Sequence, residues 1–263
     1  MDNVLIVAFV YWPAVVLVCA GLNMLVSWTF SWSELVFDYL IGVVAGLFLH
    51  YGTQAHPSAI VSFFLLFSHG LFGLLWWVSS GFRHLFHTPA AFLWFMGILR
   101  VSATLWAAAL DRGSVALGAK LSPGPFFFSL LLIPAKWPFG LITSTPGFLI
   151  WLVGVVYAIA DKGRAGFAGG IFFTEWNPGS GTESAVTLGW TSHAWNADHP
   201  LQHELYHTRQ YIYMSDWLIP FWVLGILWGL ASSAIGKESY SYAFNASKTK
   251  EIGNPLEVAA WHI

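Results

Sequence analysis

Long apolar runs separated by short polar segments constrain the fold of this chain more than any other feature of its sequence. Six of these runs cover approximately residues 4–28, 35–49, 59–78, 90–110, 146–160 and 217–235. A helix of about 17–25 apolar residues is long enough to cross the hydrocarbon core of a bilayer. We therefore predict an all-α polytopic membrane protein, integral to the membrane and multi-pass, with about six transmembrane helices.

Composition supports the same class of protein. The chain has 263 residues, of which 57% are hydrophobic and only 9% are charged. Soluble domains carry about 25% charged residues, so this chain lacks the ionic groups needed to cover a globule of its size. Its 16 Trp and 9 Tyr fit the aromatic belts that anchor helices at the two faces of a bilayer. The lipid bilayer is the expected partner, and a formal net charge of −2 gives no sign of nucleic-acid binding.

The chain divides into two predicted domains. Residues 1–160 are predicted to form a transmembrane helical bundle, and residues 161–263 to hold a Gly-rich hairpin, a polar helix, the last apolar helix and a polar tail. The hairpin is a small β insertion predicted from β-prone residues 172–174 and 185–188, which flank a turn-forming Gly/Pro/Asn sequence at 177–181. A further apolar run, 125–133, is too short to span comfortably and is expected to be re-entrant or interfacial.

The polar helix, predicted from about 200 to 213, carries the sequence His203-Glu204-Leu205-Tyr206-His207. This HExxH spacing puts both imidazoles on one face of a helix, where they can share one Zn²⁺ ion. Glu204 lies beside such a metal, where a carboxylate can take a proton from a bound water, and is the candidate catalytic residue. Cys19 is the only cysteine, which excludes an internal disulfide or a Cys-based zinc cluster.

A zinc site with these two histidines needs a third protein ligand and one open position. The best candidate is Glu257, which follows the helix-initiating sequence Asn254-Pro255-Leu256 about fifty positions downstream. The apolar run 217–235 lies between them. If that run crosses the membrane fully, Glu257 ends about 30 Å from the histidines, and His199, Glu175 or Glu183 must replace it. Glu257 can reach the metal if the run is re-entrant, or if the HELYH helix lies within the membrane and the tail folds back.

HELYH with a downstream glutamate on a second helix resembles the gluzincin arrangement of zinc metallopeptidases. Glu257-Val258-Ala259-Ala260 also resembles part of the motif of membrane-embedded peptidases of the Ste24/HtpX type. That family has Asp at the next position, where this chain has Trp261. The resemblance covers roughly residues 187–261. It implies that His203, His207 and Glu257 bind zinc and that Glu204 activates the water.

The sequence leaves three functions open. The leading one is a membrane-integral zinc-dependent peptidase that hydrolyses hydrophobic peptides or membrane-protein substrates. The second is a membrane di-iron hydroxylase or desaturase. Such an enzyme needs more ligands, and the absence of an adjacent His-His pair from the sequence counts against it. The third is a non-catalytic structural or pigment- or haem-holding subunit of a membrane complex, with a vestigial HExxH and other subunits as partners.

Polar residues inside the apolar runs are functional candidates, because a buried charge in a membrane is costly. Arg100 is expected to face the bundle interior and to pair with carbonyl groups or a carboxylate. His69 lies inside the third run. The histidines at the ends of runs are expected only to meet the membrane interface; they are His50, His56, His84 and His87.

Overall fold

Helices form most of the protein, and their caps follow the sequence. The computed structural model describes residues 3–54, 56–116, 123–176, 184–195, 201–244 and 252–261. Ser31 and Ser58 cap two of the helices, because each hydroxyl oxygen accepts a backbone N–H three residues further on. The helices are α1 Val4–Ser27, α2 Trp32–Gly52, α3 Ala59–Val78, α4 Ser80–Phe86, α5 Pro89–Ala116, α6 Pro123–Lys136, α7 Leu141–Ile159, α8 Leu201–Met214, α9 Leu218–Gly236 and α10 Pro255–Trp261.

Among the described residues, six helical segments are long and apolar enough to cross a membrane, as the apolar runs predict. By length and composition these segments are α1, α2, α3, most of α5, α7 and the stretch His203–Gly236. The short run that was not expected to span forms α6, a helix of 14 residues. It is not one of the six.

The first turn of α7 lies earlier than its apolar run predicts. The helix begins at Leu141 rather than at 146. The side chain of Asp216, more than 70 positions further along the chain, accepts hydrogen bonds from the backbone N–H groups of Ile142 and Thr143 at 3.3 and 2.8 Å. This tertiary contact caps the helix where its own sequence offers no cap, since Gly140 precedes it.

The small β insertion predicted before the HELYH helix is present, as a four-stranded sheet rather than a single hairpin. The strands are β1 Gly163–Ala168, β2 Ile171–Trp176, β3 Ser184–Leu188 and β4 Thr191–Trp195, in the order β1-β2-β4-β3. The pairing of 172–174 with 185–188 was wrong: β2 pairs antiparallel with β1 and parallel with β4, while β3 pairs antiparallel with β4.

Glycines explain why the strands pair within two tight hairpins. Gly169 and Gly170, with φ of 60° and 73°, form the two-residue turn between β1 and β2. Gly189, with φ of 62°, turns the chain between β3 and β4. The sequence 177–181, on which the predicted hairpin depended, lies outside the described residues.

The HELYH helix, α8, runs through the interior of the bundle. It packs against α1, α2, α5, α6, α10 and β3. Every residue from 204 to 216 is buried, although this helix is among the most polar in the chain. At its end Ser215 adopts a φ of 54°, and a short 3-10 turn, Ser215–Trp217, leads into α9. The polar face of α8 is therefore enclosed by the helices around it.

The tail folds back along α9 and returns Glu257 to α8. Asn254 donates from Nδ2 to the carbonyl oxygen of Trp222 at 2.9 Å, and its Oδ1 accepts the N–H of Leu256 at 3.2 Å. A Cβ atom at Gly225 would lie 2.1 Å from Oδ1 of Asn254, so only glycine permits this approach. Asn254 and Pro255 thus start α10 against the middle of α9, in line with the prediction of a Pro-initiated helix.

Candidate metal centre

Two histidines of α8 and one glutamate of α10 bring three ligand atoms to one point. Nε2 of His207 lies 3.0 Å from Nε2 of His203 and 3.2 Å from Oε2 of Glu257. The distance from Nε2 of His203 to Oε2 of Glu257 is also 3.2 Å. Among the described residues, this is the only group of three such side chains able to hold a metal ion. Glu257 therefore reaches the histidine pair by the fold-back of the tail.

The size of this triangle fits a tetrahedral metal. Zinc binds imidazole nitrogen and carboxylate oxygen at about 2.0–2.2 Å, which puts neighbouring ligand atoms of a tetrahedron about 3.3 Å apart. The three observed separations are 3.0–3.2 Å. Three atoms at this spacing form one face of a tetrahedron and leave a fourth position for another ligand. Catalytic zinc sites keep such a fourth position open, whereas structural zinc sites fill it with a protein ligand.

His207 is held in the orientation that a metal ligand needs. Its Nδ1 lies 2.7 Å from Oε1 of Gln210, one turn further along α8. An amide oxygen can only accept, so Nδ1 carries a proton, and Nε2 is the nitrogen directed to the cluster. His207 is buried, and His203 is partly exposed.

Glu257 is also held, by an aromatic donor. The indole Nε1 of Trp222 donates to Oε1 of Glu257 at 2.6 Å, which leaves Oε2 for the cluster. Burial by itself raises the pKa of Glu257, but His207 and His203 outweigh burial and keep this pKa below its ordinary value. The carboxylate is therefore ionised over the physiological pH range, as a metal ligand must be.

Glu204 lies beside the cluster without belonging to it. Its Oε1 is 4.0 Å from Nε2 of His203, and the side chain is buried. Its Oε2 accepts a short hydrogen bond from the hydroxyl of Thr187 on β3. The sheet thus holds a carboxylate next to the three ligand atoms.

The other candidates from the sequence lie elsewhere. Glu175 forms an ion pair with Arg164 across β1 and β2 at 2.6 Å, away from the cluster. His199 and Glu183 are outside the described residues. Tyr206, within the motif, donates its hydroxyl to Glu34 at 2.9 Å, and Tyr211, after it, donates to the carbonyl oxygen of Thr187 at 3.4 Å.

Sequence reasoning did not identify three residues that contact the site, nor a fourth that contacts one of these three. The three are Thr187, Gln210 and Trp222, and the fourth is Glu34, which accepts from Gln210. Gln210 carries a local signal, because its spacing of three from His207 puts both on one helix face. The other three come from α2, β3 and α9, and no local pattern relates their positions to the motif.

Comparison of the chain with models of protein families and with curated proteins gives no match, and none is found among solved structures. The resemblance to the gluzincins therefore rests on HELYH and the downstream Glu257-Val258-Ala259-Ala260 alone. The function has to be inferred from the geometry of the site.

Proposed function

We propose that this chain is a membrane-integral zinc-dependent peptidase. The observation that supports it best is the convergence of His203, His207 and Glu257 within 3.2 Å of one another, with the carboxylate of Glu204 alongside. Two imidazoles and one carboxylate with an open fourth position are the ligand set of zinc peptidases. The set is also compatible with other divalent metals, so zinc itself belongs to the proposal.

Bound zinc would act as a Lewis acid that polarises the carbonyl group of the scissile peptide and makes water a stronger acid. The residues of the chain supply the remaining functions. Glu204 accepts the proton of the attacking water and passes it to the leaving amine. Thr187 keeps the Glu204 carboxylate turned toward the cluster through its hydroxyl. Gln210 and Trp222 hold His207 and Glu257.

The surroundings of the site favour a hydrophobic peptide or a segment of a membrane protein as substrate. The cluster lies among helices that are long and apolar enough to cross a membrane. Strand β3, which carries Thr187, forms one edge of the sheet. An extended peptide can add to the edge of a sheet through main-chain hydrogen bonds, which are independent of its side chains.

The di-iron alternative predicts more ligands than are found. A membrane di-iron hydroxylase or desaturase needs more ligands than a three-residue metal site, usually with adjacent histidines, and the sequence has no adjacent His-His pair. Among the described residues, only the one group of three comes together. The peptidase remains the proposal that uses Glu204 as well as the three ligands.

Metal content and hydrolysis of the purified protein test the proposal together. The protein in detergent or nanodiscs is expected to contain about one zinc per chain and to cleave a quenched fluorescent hydrophobic peptide. His207→Ala should lose both zinc and hydrolysis. Glu204→Gln should keep zinc and lose hydrolysis, because its role is proton transfer.

His84→Ala is the matched control, since His84 is an exposed histidine of α4 outside the cluster. It should keep both properties. Zinc without hydrolysis of any hydrophobic peptide would contradict the peptidase, and two irons per chain would favour the di-iron enzyme. Loss of zinc in Glu204→Gln would show that the roles of Glu204 and the ligands are wrongly divided.

A further inference from the structure

Gln210 contacts three helices of the fold at once. Its Oε1 lies 2.7 Å from Nδ1 of His207 on its own helix, α8. Its Nε2 donates to Oε1 of Glu34 on α2 at 2.8 Å and to the carbonyl oxygen of Leu256 on α10 at 3.1 Å. Gln210 and Glu34 are both completely buried. One amide group therefore joins α8, α2 and α10 in the interior.

The two acceptors fix the orientation of this amide. A backbone carbonyl such as that of Leu256 has no proton to donate, and Oε1 of Glu34 also accepts the hydroxyl of Tyr206 at 2.9 Å. Both atoms need a donor from Gln210, and only its NH₂ end supplies two protons. The oxygen of the amide must then face His207. As a result, His207 carries a proton on Nδ1 and directs Nε2 at the cluster.

The same amide also reaches the third ligand. Leu256, whose carbonyl accepts from Gln210, is the residue directly before Glu257. α10 has only 7 residues, and this hydrogen bond joins it directly to α8. The hydrogen bond from Gln210 to Leu256 therefore helps to place Glu257 as well as His207.

We propose that Gln210 and Glu34 are positioning residues of the metal centre: Glu34 orients the amide of Gln210, and Gln210 orients His207 and docks the helix of Glu257. The inference rests on the metal site of the proposed function and adds the groups that set its geometry. Neither residue touches the metal or the substrate. Mutation of a residue that hydrogen-bonds to a metal ligand typically lowers metal affinity 10–100-fold.

Two substitutions that preserve shape separate this role from simple packing. Gln210→Glu keeps the size of the side chain, but a carboxyl group in either protonation state cannot donate to both Glu34 and Leu256. Glu34→Gln also keeps the size, and its Oε1 still accepts from Tyr206 and Gln210. A packing role predicts that both changes are tolerated. The proposed role predicts that only the change at Glu34 is tolerated.

Zinc affinity measured by competition with a chelator provides the test. Gln210→Glu and Gln210→Ala are expected to bind zinc 10–100-fold more weakly than the wild type, and Glu34→Ala similarly. The zinc affinity of Glu34→Gln should stay within roughly threefold of that of the wild type, a much smaller change than the loss of a hydrogen bond to a metal ligand causes. Asp38→Asn is the matched control, because Asp38 is a completely buried acid one turn further along α2; it should leave affinity unchanged.

Nuclear magnetic resonance of the zinc-loaded protein with ¹⁵N-labelled histidine gives a second readout. In the wild type the Nδ1–H proton of His207 should be protected from exchange with water, and in Gln210→Ala it should exchange rapidly. Unchanged zinc affinity and unchanged exchange in a folded Gln210→Ala protein would overturn the inference. Equal tolerance of Gln210→Glu and Glu34→Gln would do the same.

Failure of the proposed function would look different. A wild type that binds zinc in a Gln210-dependent manner but cleaves no peptide contradicts the peptidase and supports the positioning role. A wild type that cleaves peptides while Gln210→Ala binds zinc normally contradicts only the positioning role. A wild type that binds no divalent metal contradicts both.

Discussion

The metal centre and the surroundings of Arg100 are two polar centres buried in the same apolar bundle, and they are built in opposite ways. Arg100 on α5 is completely buried. Its Nη2 donates to the carbonyl oxygen of Ser68 at 2.5 Å and lies 3.2 Å from Nδ1 of His69, and Nη1 donates to the carbonyl oxygen of Ile212. The guanidinium also lies over the rings of Phe139 and Trp12, at 4.7 and 5.3 Å. The expectation that Arg100 faces the interior and meets carbonyl groups is confirmed.

A break in α3 explains why those acceptors are available. Gly70 has a φ of 55°, and the N–H of Leu71 donates to the carbonyl oxygen of Pro138 at 2.8 Å instead of to its own helix. A break of this kind leaves carbonyl groups that need donors from elsewhere in the protein. Arg100 supplies one to Ser68 and ties α3 to the end of α8 through Ile212.

This contrast indicates that the metal centre, and not the surroundings of Arg100, is suited to bind an ion. At Arg100 the protein supplies both the cation and its acceptors. At the metal centre the chain supplies three ligand atoms with lone pairs converging on one point. A cation is the natural complement to such a set. We therefore expect the first centre to govern stability and the second to govern metal binding.

The largest expected effect is the loss of metal from His203→Ala or His207→Ala. Removal of one of three ligands should weaken zinc binding by at least about a thousandfold. Zinc in large excess should stabilise the wild type by about 4 kcal/mol at a thousand times its Kd, and at the same zinc concentration the variants should gain at most about 0.4 kcal/mol. Thermal unfolding in detergent with and without zinc measures this. Equal stabilisation of the wild type and the variants by zinc would contradict the assignment of His203 and His207 as metal ligands.

Arg100→Met should come next, with a loss of about 3–5 kcal/mol of unfolding free energy, because the Ser68 and Ile212 carbonyl groups lose their buried donor. The loss should be the same with and without zinc. Arg83→Met is the matched control: Arg83 also donates to two carbonyl groups, at 2.6 and 2.9 Å, but is exposed. It should cost less than about 1 kcal/mol. A loss that appears only in the presence of zinc would assign Arg100 to the metal centre instead.

Lys136 lies in a third buried polar centre, which extends the comparison. It donates to Oδ1 of Asp111 and to the carbonyl oxygen of Gly169, both at 2.8 Å, and Arg209 of α8 donates to the other oxygen of Asp111 at 2.8 Å. Burial lowers the pKa of Lys136 to about 8, although Asp111 opposes the shift. The folded protein thus releases this proton at a lower pH than the unfolded chain does.

The sign of the resulting pH dependence follows from that difference. Between pH 8 and 10.5, the folded and ordinary pKa values, the unfolded chain binds more protons at Lys136. The contribution of Lys136 to stability therefore rises with pH across this window, by at most about 3 kcal/mol. Denaturant unfolding of wild type and Lys136→Met at several pH values measures it. Parallel pH profiles for the two proteins would contradict the prediction.

The smallest expected effect is at Thr187, whose hydroxyl contacts Glu204. If the protein is a peptidase, Thr187→Val should lower kcat about tenfold and leave zinc content unchanged, because one hydrogen bond to a charged group is lost. Thr187→Ser keeps the hydroxyl and should retain most of the activity. A Thr187→Val protein that loses zinc would place this residue with the ligands rather than with the catalytic carboxylate.

Local physics explains what the sequence alone determined. Low charge and long apolar runs limited the chain to helices long and apolar enough to cross a membrane, since an unsatisfied backbone is too costly in lipid. The spacing of His203 and His207 fixed their shared face, because the helical repeat brings residues four apart together. Asn254 and Pro255 marked the start of α10 through capping preferences. Each of these depends on neighbours within one helical turn or one run.

Only the tertiary structure decided how those pieces meet. The sequence allowed Glu257 to lie near the histidines or on the far side of a membrane, and the contact of Asn254 with Gly225 and Trp222 settled the fold-back. The pairing order of the strands depended on two glycine turns and on packing against α7. The partnership of Gln210 with Glu34 joins positions 176 residues apart. Contacts of that range depend on the whole packed bundle, so no pattern within a short window of sequence could have specified them.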